Sequence, residues 1–373
     1  MTFVGSVSVR HLARALLLWG LVAALAVGAT RPSVARNARA QTSSLGTLFT
    51  LVGDFPLGAA TSRTDYQSID AEARRLYIAK MGDGKLLVYD LVQDRLVREI
   101  ADLPKITGVL AVPQLHRVYA SVPGSGIAAS FRVGLGMLGL SSGTGKVAIF
   151  DSESLKEAAR LPGGVFPDGI AYDPLEQRIF VSDELGEAVT VVDARSDRLE
   201  ARIKMPGEVG NVQYDPKTAK VFAPLQTRNA LAVIDPAKNA LVAQFALAGC
   251  DHPHGLAIAS GAAVGYVACD GNDVLLVVHL ETGRISGSRP IAHDPDVLGT
   301  DPELKRLYVA SESGSLSTFD ITNAESPAAL GNVFVGDDAH AVAVDPSSHR
   351  LYLALPSVNG KAVLRVLAPR EPH

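Results

Sequence analysis

Residues 301–320 read DPELKRLYVASESGSLSTFD, and much of the remaining chain is a variation on this stretch. The Asp-Pro pair suits the first two positions of a type I turn, where the carboxylate accepts backbone amides and the proline ring presets φ. Arg306-Leu307-Tyr308-Val309-Ala310-Ser311 then forms an apolar strand, and a second apolar strand runs up to Asp320. Outward from this segment the signature recurs at Tyr77, Tyr119, Phe180, Phe222, Tyr266, Tyr308 and Tyr352, with spacings of 42, 61, 42, 44, 42 and 44 residues. Seven residues before these anchors stand Asp70, Val112, Asp173, Asp215, Ala259, Asp301 and Asp345. The following strands alternate with period two and end in Asp90, Asp151, Asp193, Asp235 and Asp320. Both sets of aspartates are assigned to turns, because a short carboxylate side chain satisfies turn amides wherever it recurs in this setting.

A further short strand, as at residues 96–100 or 199–205, brings each repeat to four strands. Four-stranded units repeating about every 42 residues predict an all-β, seven-bladed β-propeller. The seventh repeat supplies only three strands, at residues 339–345, 350–355 and 362–367, while residues 47–52 read as an orphan strand. Pairing the two completes the last blade, closes the ring and leaves no edge to template aggregation.

Residues 1–40 contain Arg10, Arg14, Arg31, Arg36 and Arg39, no acidic residue, and an apolar run at 15–27. That run is short for a bilayer span. With Ala38-Arg39-Ala40 it predicts a signal peptide cleaved after Ala40, the competing reading being an uncleaved anchor. A periplasmic or secreted protein is therefore expected, not membrane-spanning once the leader is cleaved. Loss of five positive charges takes the net charge from −4 to −9, which disfavours nonspecific nucleic-acid binding. The remaining residues, 41–373, are expected to form one propeller domain and a monomer.

These repeats resemble the YVTN-repeat (YncE-like) propellers, most clearly in Arg306 to Ser311 and in Arg178-Ile179-Phe180-Val181-Ser182. The likeness extends over about residues 47–367. It implies a binding or scaffold role more than a defined reaction. The only tryptophan, Trp19, lies in the leader, so the Trp-Asp signature and the tryptophan docking pattern of pyrroloquinoline-quinone dehydrogenases are missing. Nor is there a Cys-x-x-Cys-His stretch for covalent haem. Neither cofactor is expected.

Strand order puts the Asp-Pro turns on one face, and on the other the loops entering the first strand together with those between the second and third. At the start of the innermost strand, five residues before the turn position, stand Asp65, Thr107, Asp168, Gly210, His254, Asp296 and His340. These should ring the channel mouth, with His252 and His293 in the same entry loops. His254, Asp296 and His340, from three consecutive blades, match the ligand set of one divalent metal ion. They also match an acid/base pair. Three uses remain open for them: lining a wet channel, metal-assisted hydrolysis of a lactonase-like kind, or docking an unknown small molecule or protein. No recurring Glu or Asn at the mouth supports the ligand set expected of gluconolactonase-type calcium propellers, which favours non-enzymatic binding.

Between Tyr119 and Asp151 the second blade carries 19 extra residues, an apolar, glycine-rich insert at 123–145. It is expected to project from the mouth face as a lid or docking flap, or to pack over the blade tops. The two cysteines, Cys250 and Cys269, flank the fifth blade's first two strands, with Cys269 expected opposite His254. Export makes a disulfide between them the favoured state, and two free thiols the alternative.

Overall fold

The computed structural model describes residues 44–124, 134, 143–259 and 261–370. The leader and most of the 123–145 insert lie outside the described residues. The chain forms seven antiparallel sheets of four strands each, a seven-bladed β-propeller. The first blade consists of Gln67–Asp70, Arg75–Lys80, Lys85–Asp90 and Arg95–Ile100, running outward from the axis. No helix among the described residues is long and apolar enough to cross a membrane.

The middle strands depart from simple alternation. In Arg75–Lys80 every residue after the first is buried, whereas the outer strand Arg95–Ile100 has no buried residue. A middle strand is covered on both faces by neighbouring blades, so both faces must be apolar and the run becomes nearly continuous. Seven apolar clusters fill the seven gaps between blades. Phe180 meets Val221 between the third and fourth blades, and Leu57, Tyr89 and Tyr352 meet between the seventh and the first. All seven aromatic anchors are fully buried.

The recurring aspartates hold turns. Asp301 Oδ1 accepts the amides of Glu303 and Leu304, and Asp90 Oδ1 those of Val92 and Gln93. The first turn of each blade ends on a non-glycine residue in the left-handed region: Arg74, His116, Gln177, Ala219, Ala263, Lys305 and His349, with φ between 50° and 59°.

Phe49–Ala59 pairs antiparallel with Lys361–Pro369 and completes the seventh blade, from Phe49 opposite Pro369 to Ala59 opposite Lys361. The closing strand is longer than residues 47–52 and begins later, because Thr47 belongs to a helical turn, Leu45–Leu48. Two register breaks, between Leu51 and Gly53 and between Pro56 and Ala59, hide the extension from any period-two reading. Pro56 is tolerated because this strand is an edge. Arg365 clasps Asp54 across the seam through Nε at 2.8 Å and Nη2 at 2.5 Å.

Candidate functional site

The mouth is built by irregular backbone. The innermost strands of the third, fifth and sixth blades are Pro167–Asp173, Pro253–Ala259 and Pro295–Asp301. Each breaks register just after its proline: Pro167 pairs with Asp183 but Ile170 with Val181, Pro253 with Cys269 but Gly255 with Ala268, and Pro295 with Ser311 but Leu298 with Val309. Asp168, His254 and Asp296 fall in these breaks. A bulge leaves its extra residue unpaired and re-aims the side chain. Cys269 thus pairs with Pro253 rather than with His254. Cys250 and Cys269 are joined by a disulfide, Cα atoms 5.4 Å apart, which ties the loop entering the fifth blade to that blade's second strand.

Adjacent innermost strands touch. Asn211 N donates to His254 O at 3.0 Å, Val297 N to His340 O at 3.3 Å, and Thr107 Oγ1 to Pro167 O at 2.9 Å. A Cβ on Gly255 would lie 2.0 Å from Asp296 O, so only glycine allows this approach.

Within this frame His340 is buried and bridges three blades. Its Nε2 lies 2.8 Å from Asp65 Oδ1, while Nδ1 lies 3.0 Å from Asp296 Oδ2 and 3.1 Å from Glu312 Oε1. His254 Nε2 stands 3.3 Å from the other oxygen of Asp296, so one carboxylate joins the two imidazoles. Arg63 reaches into the same group, its Nη2 2.7 Å from Glu312 Oε1 and 2.8 Å from His340 Nδ1. Tyr66 packs edge-on to His340 with ring centroids 6.3 Å apart and sends its hydroxyl to Asp168 Oδ2 at 3.3 Å, linking the first and third blades.

Not all of the expected ring is gathered. Asp65, His254, Asp296 and His340 form one network, and Asp168 joins through Tyr66. His252 instead pairs with Asp270 at 3.4 Å. His293, 70 % exposed, pairs with Asp273 and Asp294 on the rim. Arg63, Tyr66, Glu184, Asn211 and Glu312 were not anticipated. Glu184 and Glu312 both stand four residues after an anchor, Phe180 and Tyr308, where Gln226 and Asp270 stand in the fourth and fifth blades. A second polar register was therefore readable one strand out. The expectation that the mouth lacks Glu and Asn is corrected on this ground: they enter from positions other than the first-strand ring. Gln226 Nε2 holds Glu184 Oε1 at 3.0 Å.

Electrostatics follow from burial among unlike charges. Burial and Arg63 both oppose the His340 imidazolium, yet Asp296 and Asp65 outweigh them and push its pKa up to about 10. Burial opposes the His254 imidazolium as well, and Asp296 overcomes it, again to about 10. Burial raises the Glu312 carboxyl, but His340 and Arg63 draw it down to about 2. Burial raises the Asp65 carboxyl, but His340 and Arg63 together lower it on balance. Asp168 goes the other way: burial, then Asp65 and Glu184, raise it to about 7.

The donor atoms that converge within 4.8 Å are those of Asp296, Glu312 and His340, so Glu312 takes the place foreseen for His254. Carboxylate and imidazole donors suit a divalent first-row cation. A guanidinium nitrogen of Arg63 already stands among them, and an imidazole protonated on both nitrogens offers no lone pair. The site as arranged carries its own cation, and a metal would have to displace both Arg63 and a proton.

No family model and no curated protein matches the sequence. Among solved structures the chain is similar to Kuenenia stuttgartiensis hydrazine synthase, at 14 % identity and a TM-score of 0.67, covering 83 % of this chain and 97 % of that one. At that identity the likeness speaks for the propeller fold alone.

Proposed function

We propose that the protein is an exported binding propeller that takes a ligand or partner at its mouth face, without catalysing a reaction, and that it is a YVTN-repeat, YncE-like protein. The observation that carries this reading is the mouth network: Asp65, Asp168, Asp296, Glu312, His254, His340 and Arg63 converge from five blades. Grouping charges in a half-buried site costs solvation that apolar packing of the blades does not require. Such a cluster offers a ligand or partner the charges and hydrogen-bonding groups that the apolar blade packing lacks.

Wild type and the His254→Ala/His340→Ala double variant are to be compared by thermal-shift screening against small molecules and by affinity capture from the native envelope fraction. The expected result is a ligand or partner that wild type retains and the variant loses. An identical profile for the two overturns the reading. N-terminal sequencing of the exported protein tests the leader, with Gln41 expected as the first residue.

A second reading is favoured by one observation, the convergence of Asp296, Glu312 and His340. A divalent metal held there would supply Lewis acidity for hydrolysis. Elemental analysis of protein purified without chelators decides it: about one metal per chain supports the hydrolase, and none removes it.

A further inference from the structure

The mouth is not evenly neutralised. Asp65, Asp296 and Glu312 each have a cationic partner in the Arg63, His254 and His340 group. Asp168, 5 % exposed, has none within ion-pairing distance among the described residues, and its contact there is the Tyr66 hydroxyl. Asn211 lies beside it, one blade on. This side chain is 3 % exposed, and its Oδ1 has no hydrogen-bond partner. A Cβ on Gly169 would stand 3.1 Å from Asn211 Oδ1 and 3.4 Å from the Tyr66 hydroxyl, so both polar atoms lie close against this glycine, next to Asp168 in the chain. A buried carboxyl without a cation and an orphaned buried amide oxygen brought together at the mouth call for hydrogen-bond donors and positive charge.

We propose that this side of the mouth binds the primary ammonium group of a small organic amine, held by the Asp168 carboxylate and Asn211 Oδ1 beside the Tyr66 hydroxyl. The proposal rests on the mouth-face binding reading and names its ligand class. Three lines favour an ammonium over other cations and over neutral ligands. Three metal-capable side chains converge on the Arg63 side, and no such group is found around Asp168 among the described residues. Five carboxylates, Asp65, Asp168, Glu184, Asp296 and Glu312, face three cationic side chains even with both histidines charged, so a neutral alcohol would leave the excess in place. Finally, the opposite half of the mouth is already served by an N–H cation, Arg63, donating to Glu312. An ammonium would do for Asp168 and Asn211 what Arg63 does there.

The test is isothermal titration of full-length mature protein with propylammonium, with 1-propanol as the uncharged isostere and zinc and calcium chloride as competing cations. Wild type should bind propylammonium and not 1-propanol. Asp168→Asn and, independently, Asn211→Leu should each weaken binding about tenfold or more, both checked for native circular dichroism so that a misfolded variant is replaced by the other. Glu99→Gln, which removes an exposed outer-strand charge paired with Lys85, should bind as wild type does. Absence of propylammonium binding to wild type overturns the proposal, as does equal binding by both mouth variants. Zinc binding alone, lost in His340→Ala, also overturns it, yet leaves the mouth-face reading standing. Only an unchanged ligand and partner profile in the double histidine variant defeats that broader reading.

Discussion

His340 Nε2 lies 2.8 Å from Asp65 Oδ1, an ion pair that joins the last blade of the ring to the first through two buried side chains. The imidazole is raised from 6.5 to about 10 and the carboxyl is lowered from 3.8. A raised histidine contributes stability fully below its unfolded value of 6.5 and loses it as pH climbs through about 10. The depressed aspartate contributes above its unfolded value and loses that as pH falls. Wild-type stability should therefore decline between about pH 7 and 10. His340→Gln, which takes the imidazolium from between the buried Asp65 and Asp296 carboxylates, should cost about 3–5 kcal/mol at about pH 7 and flatten that alkaline decline. Urea unfolding at stepped pH measures both effects, and a variant with an undiminished alkaline slope would refute the assignment.

Arg63 should act as a competitor for divalent cations. Its Nη2 occupies the middle of the Asp296, Glu312 and His340 group, so Arg63→Ala should raise zinc affinity by about tenfold or more at neutral pH. Calorimetric titration of the two proteins checks this. Equal affinities would mean that Arg63 does not hold the site.

The disulfide should matter for stability and for the mouth. Denatured, unreduced protein should show no titratable thiol, and two would exclude the bridge. Its sequence separation of 19 residues predicts a loss of about 3 kcal/mol in the Cys250→Ser/Cys269→Ser variant. Because the bridge anchors the loop leading to His254, the same variant should weaken whatever binds at the mouth.

Removing the closing strand should be severe. Deletion of residues 44–59 strips the outer edge of the seventh blade and uncovers Leu57's neighbours, and it should lower the melting temperature by more than about 10 °C. The milder Leu57→Ala should cost about 2–4 kcal/mol, since the side chain is fully buried. Unfolding of the deletion variant at the wild-type midpoint would show that the ring is held elsewhere.

How far the sequence discloses these features depends on how local their causes are. The blades were legible because each repeat carries its own turn residues and its own aromatic anchor, and both act over a short span of chain. The ring position of Asp65, Asp168, His254, Asp296 and His340 was legible by register. Glu312 was legible only by a different register, four residues after the anchor Tyr308, in the turn that follows the second strand Arg306–Ser311 of the sixth blade. Tyr66 and Asn211 sit one residue beyond the ring position, where a regular strand would turn them away from the axis. Both precede the strands Gln67–Asp70 and Gln213–Asp215, so that alternation does not reach them. His252 and His293 show the reverse error: they lie in the right loops, but ion pairs with Asp270 and with Asp273 and Asp294 hold them apart from the cluster.

The seam of the seventh blade has a mechanical consequence. Phe49 pairs with Pro369, and Arg370 N donates to Leu48 O, so both chain directions leave the ladder at the same end. Tension applied to residues 44 and 370 would run across the strands rather than along them. The backbone bonds would then break in succession, from Phe49 toward Ala59, instead of failing together. A pull on its two ends would unzip this ring at a single blade and at low force, while the other six blades carried almost none of the load.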